Sequence, residues 1–166
     1  MAESEAFQTL SEFGIALAGF TSIVVVFGRG GGAFHPVDRF RVFSALIPSL
    51  GGAFLALLPV GLDLVGFSHT AVWRASSLVL VFAIITYLVF VTIQIRRLPP
   101  EASALLSSHL IRLFLSLFSF AILAGFLNVT GVLFSPQGGA YFFAVLSVLV
   151  IGAIVFVRMV FVRPAA

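Results

Sequence analysis

Few residues in this chain are of a type that does chemistry, and they are widely spaced. Asp63 is the only acid within a long apolar run. A charged side chain at mid-bilayer costs roughly 2.5–3.5 kcal/mol on insertion scales, so an intramembrane acid calls for a partner or a function. Arg74 opens the next apolar run across a short loop. The simpler expectation is a structural ion pair, Asp63 with Arg74, that pins this hairpin. The sharper one is a cation or proton site at an outer vestibule, with Asn128 and His69 close by. At about 100° per residue, Arg112, Ser116 and Ser119 share one helical side with Ser108. Facing a lumen, that stripe would line a polar path, with Arg112 drawing anions to its mouth. The plainer reading is that each Ser bonds its own backbone four residues back, and that Arg112 reaches the headgroups. The candidate polar path is Asp63, Asn128, Arg112, Ser116 and Ser119.

Other chemistries find little footing. The chain has no Cys, which removes disulfides, thiolate metal sites and Cys nucleophiles. His35, His69 and His109 all lie outside the apolar runs, so a haem held by paired helical His is not expected. A lone His without partner spacing is weak ground for a metal site. Gly30-Gly31-Gly32 lacks the strand and the spacing of a phosphate loop. Asn128-Val129-Thr130 matches a glycosylation sequon but lies in or at the membrane. No Ser/His/Asp order, HExxH or paired acids occur within the apolar runs. The expectation is a protein that is not an enzyme and has no cofactor and no metal.

The elements that must position these residues follow from composition. Of 166 residues, 61% are hydrophobic and 9% charged, with a mean hydropathy of +1.22. Soluble domains carry about 25% charged residues. Soluble, disordered and nucleic-acid-binding classes are excluded, despite a pI near 10.6 that rests on nine arginines and no Lys. A span needs roughly 20 apolar residues. The fold class is all-α: a single integral membrane domain over 1–166, with five transmembrane helices in a compact bundle. The spans fall near 10–28, 42–66, 73–95, 107–131 and 140–162. Thr9-Leu10-Ser11-Glu12 has the pattern of a capping box opening the first helix. The acidic N-terminus argues against a cleaved signal peptide. Arg29-Gly30-Gly31-Gly32 reads as a stop, and Pro99-Pro100-Glu101 as the restart of a helix reaching Gly131. Ser135-Pro136-Gln137-Gly138-Gly139 reads as a tight turn.

Faces and charges complete the reading. Gly14 and Ala18 in the first span, and Pro48, Gly52, Ala56 and Pro59 in the second, form small-residue stripes suited to close helix packing. Phe43, Leu50, Phe54 and Leu57 lie opposite and should face lipid. In the fourth span, Ala121, Ala124, Gly125 and Asn128 oppose the Ser stripe. Five spans place eight arginines on one side of the membrane and Arg74 alone on the other. The positive-inside rule then predicts N-terminus outside, C-terminus cytoplasmic, in the plasma (inner) membrane. Trp73 and Tyr141 fall at outer span ends, where interface aromatics belong. The partners implied are the lipid bilayer and either a second copy or another membrane protein. The expected function is helix packing, as a self-associating protein or as a subunit of a membrane complex. The alternative is a small oligomeric channel or transporter.

Overall fold

Inside lipid a backbone must satisfy its own hydrogen bonds, so an apolar segment that crosses alone does so as a helix. The computed structural model describes residues 2–27, 36–99, 107–132 and 137–161. They form α1 (Ala2–Phe27), α2 (Pro36–Leu64), α3 (His69–Arg96), α4 (Ser108–Thr130) and α5 (Gln137–Phe161). All five are long and apolar enough to cross a membrane. No strand occurs among the described residues. The described secondary structure is all-helical, and its five apolar helices suit a multi-pass membrane protein.

Successive helices run antiparallel, and α5 lies at the centre, packed against each of the other four. Helices α1 to α4 form an arc around it, with α1 on α2, α2 on α3 and α3 on α4. The core therefore follows α5: Ala144, Val145, Val148, Leu149 and Ile151 are buried along one stripe. Large apolar side chains on the outer faces, among them Phe54, Phe82, Leu123 and Phe143, stay exposed. A water-facing monomer rarely tolerates so much contiguous apolar surface, whereas lipid accepts it.

Several boundaries differ from expectation; α2, for one, starts at Pro36 rather than near Val42. Helix α1 starts at Ala2 rather than at Thr9, and the Thr9–Glu12 capping box does not form. Thr9 donates its hydroxyl to the Glu5 carbonyl (2.9 Å), and Gln8 donates to the Glu12 carboxylate (3.0 Å). A Thr already inside a helix bonds back four residues, so the cap-like spacing is mid-helix decoration. Gln137, Gly138 and Gly139 belong to α5 instead of a turn. Gly138 is buried there. The Arg29–Gly32 stop, His35, the Pro100-Glu101 restart, Ser135, Pro136 and Arg163 lie outside the described residues.

Two helix ends, those of α2 and α4, use left-handed glycines, whereas α3 ends on Arg97 in a right-handed conformation. At the end of α2, Gly66 (φ 92°) lets Phe67 N–H reach the Leu62 carbonyl. At the end of α4, Gly131 (φ 74°) lets Val132 N–H reach the Leu127 carbonyl. This six-to-one closure is the Schellman pattern, and it consumes carbonyls that α4 and α2 would otherwise leave open.

Candidate functional site

The site begins with α2, the helix that carries two internal prolines. A proline has no N–H and so frees the carbonyl four residues earlier. Pro48 frees the Ser44 carbonyl, and Pro59 frees the Leu55 carbonyl. Tyr141 of α5 donates its hydroxyl to Leu55 O at 2.7 Å. Tyr87 of α3 donates to Ser44 O at 3.4 Å. The chain's two tyrosines thus each serve one proline-freed carbonyl of α2. Membrane helices tolerate proline when neighbours supply such donors.

Between these two latches runs a seam of small residues. Gly14, Ala18, Pro48, Gly52, Ala56 and Pro59 are all buried. A Cβ placed on Gly14 would lie 2.6 Å from Ser49 O and 3.0 Å from both Ala53 Cβ and Leu149 Cδ2. One on Gly152 would lie 2.6 Å from Ser49 Oγ. Helices α1, α2 and α5 therefore approach through backbone, and Ser49 turns its hydroxyl to Ala45 O (2.7 Å).

One end of the bundle is closed by aromatic rings. Phe7 packs on Trp73, Tyr141 and Phe142 with centroids 5.7–5.8 Å apart. Trp73 Nε1–H donates to His69 Nε2 at 3.1 Å, which requires the tautomer protonated on Nδ1. Trp73 and Tyr141 were expected at the lipid interface, yet both are buried. The reason is the two extra turns of α1, which bring Phe7 over them.

The other end is open. Helices α2, α3, α4 and α5 part there around a cavity of about 290 Å³. Its wall is mostly apolar, with Leu88, Val91, Phe114, Phe118, Ile151 and Val155 among the lining residues. Arg41 and Arg158 stand at its mouth near Ile95 and Ser107, and Tyr87 and Ser44 lie deeper. Arg41 and Arg158 are half-buried. The antiparallel order places Arg39, Arg41, Arg96, Arg97, Arg112 and Arg158 at this same end, while Arg74, Asp63 and Glu5 belong to the opposite one.

The residues singled out from sequence fall in separate places. Asp63 and Arg74 are both exposed and form no ion pair with each other. The Arg74 guanidinium instead lies 3.1 Å from where a Cβ of Gly131 would be. That is the C-terminal end of α4, where the helix dipole attracts a cation. Asn128 is fully buried and donates to Ser77 Oγ at 2.9 Å, joining α4 to α3. Arg112, Ser116 and Ser119 are exposed on the far side of α4. Ser116 bonds back to the Arg112 carbonyl (2.9 Å), and Arg112 meets His109 Nδ1 at 3.1 Å. The five candidates of a polar path do not converge within one chain. Sequence reading missed the tyrosine latches and the cavity. The i to i−4 relation between each proline and its carbonyl was in view, but the donor's identity depends on tertiary contact.

Comparison with family models, curated proteins and solved structures finds no match to this chain.

Proposed function

We propose that the protein is a non-catalytic component of a membrane assembly, acting by helix packing, with its arginine-bearing end cytoplasmic. The observation that carries this reading is the outward polar face of α4: Arg112, Ser116 and Ser119 are exposed on a membrane-spanning helix. Lipid tails offer such a face neither hydrogen bonds nor close packing, while small and polar side chains are the groups that join one membrane helix to another. The partner we assign first is a second copy of this chain, apposed along α4.

The chain has no native Cys, so introduced ones report without background. With Ser119→Cys, mild oxidation in native membranes should give a disulfide-linked dimer. Phe54→Cys, on the lipid-facing side of α2, should give none. If Ser119→Cys stays monomeric and only a different membrane protein copurifies through α4, the subunit form of this reading replaces self-association. If neither a second copy nor a partner is captured, the reading fails. The same outward face supports a second reading, because several copies around an axis would line a path with Arg112, Ser116 and Ser119. Ion flux in liposomes that is lost with Arg112→Ala would favour that channel.

A further inference from the structure

We propose that the cavity at the arginine-bearing end is a binding site for a single-chain anionic amphiphile: one apolar chain ending in a carboxylate or phosphate head. This inference does not depend on how α4 associates. At about 290 Å³ the cavity sits at the small end of ordinary ligand pockets, roughly 300–1,000 Å³. That suits one acyl- or prenyl-type chain better than the two chains of a bilayer phospholipid. The wall matches such a chain, since leucine, valine, isoleucine and phenylalanine side chains supply most of it. Apolar cavities take apolar guests in preference to water.

Polarity is graded along the cavity. From Ser107 at the mouth to Phe118 at the floor is three turns of α4, about 16 Å at 1.5 Å per residue. The floor is closed by Phe118 and Tyr87, whose rings lie 5.5 Å apart. The Tyr87 hydroxyl is directed to the Ser44 carbonyl, so the floor offers the chain's end mostly ring surface. Arg41 and Arg158 line the cavity at its mouth. Arg158, half-buried beside an apolar slot, complements one anionic head, and guanidinium is the side chain best shaped for a carboxylate or phosphate. Nucleotides and sugars are poor candidates, because the deeper wall has too few hydrogen-bonding groups for them.

The test uses the full chain in nanodiscs of zwitterionic phosphatidylcholine, with dodecanoate carrying a terminal diazirine as probe. Photolabelling should concentrate on the floor, at Tyr87 and Phe118. Unlabelled dodecanoate and dodecyl phosphate should compete, and dodecanol should not. Competition by only one of the two anions supports the proposal and identifies the head. Arg158→Gln should weaken competition by either anion about fivefold, the scale of one basic residue acting on an anionic lipid head. Val91→Trp should fill the slot and abolish floor labelling. Two outcomes overturn the proposal. One is equal competition by dodecanol. The other is labelling spread over Phe54, Phe82 and Leu123 and unchanged by Arg158→Gln, which keeps the test decisive if Val91→Trp does not fold.

Discussion

A tyrosine hydroxyl placed on a proline-freed carbonyl turns a local defect of α2 into a joint between helices. The two joints differ in strength. Tyr141 meets Leu55 O at 2.7 Å from a fully buried position, whereas Tyr87 meets Ser44 O at 3.4 Å beside the cavity. Leaving a buried carbonyl without a donor costs about 1–3 kcal/mol in soluble proteins, and interhelical bonds in membranes average about 0.6 kcal/mol. Tyr141→Phe should therefore destabilise the bundle by about 1–2 kcal/mol in denaturant unfolding, and Tyr87→Phe by about 0.5 kcal/mol or less. Trp73, the only tryptophan and a close ring neighbour of Tyr141, supplies the fluorescence signal. Pro59→Ala restores an N–H for Leu55 O, so it should recover most of the loss in the Tyr141→Phe background. A double-mutant cycle with no coupling between positions 59 and 141 would reject the latch.

At the scale of the helix, the seam of α1, α2 and α5 depends on glycine only where backbones meet. Gly14 faces Ser49 O, Ala53 and Leu149 at 2.6–3.0 Å from an added Cβ, while Gly19, one turn and a residue further along α1, has nothing within 4 Å. Gly14→Ala should lower stability by about 1–3 kcal/mol, the usual cost of overpacking. Gly19→Ala should be neutral or stabilising by up to about 1 kcal/mol from helix propensity. Thermal unfolding of the two variants side by side separates packing from propensity. The five helices and this seam were legible in the sequence, because each rests on a one-dimensional signal: run length for the spans, and spacing of Gly, Ala and Pro for the face. The start of α1 was not legible. Thr9 and Glu12 have the types and spacing of a cap, and the same types also bond back within a helix. The Gly138–Gly139 pair misled for a related reason, since glycine marks turns yet also occurs within membrane helices, as it does here in α5.

For the whole molecule, the cavity and the latches were hidden because neither is written along any one helix. The cavity exists where four helices part, and its lining draws on residues from Phe40 to Arg158. Along the sequence Arg41 and Arg158 are two of the eight arginines on one side of the membrane, and only the fold brings them to one cavity. The arginine asymmetry, by contrast, was legible, since alternation of spans alone sorts the charges into two sets. The antiparallel bundle gathers Arg39, Arg41, Arg96, Arg97, Arg112 and Arg158 at a single end, with Arg74 at the other. Translocating arginine clusters is disfavoured, so that end should remain cytoplasmic. Two exposed loop positions report the orientation directly. Ser68 lies between α2 and α3 at the Arg74 end, and Pro99 follows α3 at the arginine-rich end. In intact cells, Ser68→Cys should react with a membrane-impermeant maleimide, and Pro99→Cys should react only after permeabilisation. The reverse pattern would place the cavity mouth outside the cell. The head of any bound amphiphile would then come from the outer leaflet instead of the cytoplasmic one, so this single labelling experiment also fixes which pool of lipid the slot between Arg41 and Arg158 can sample.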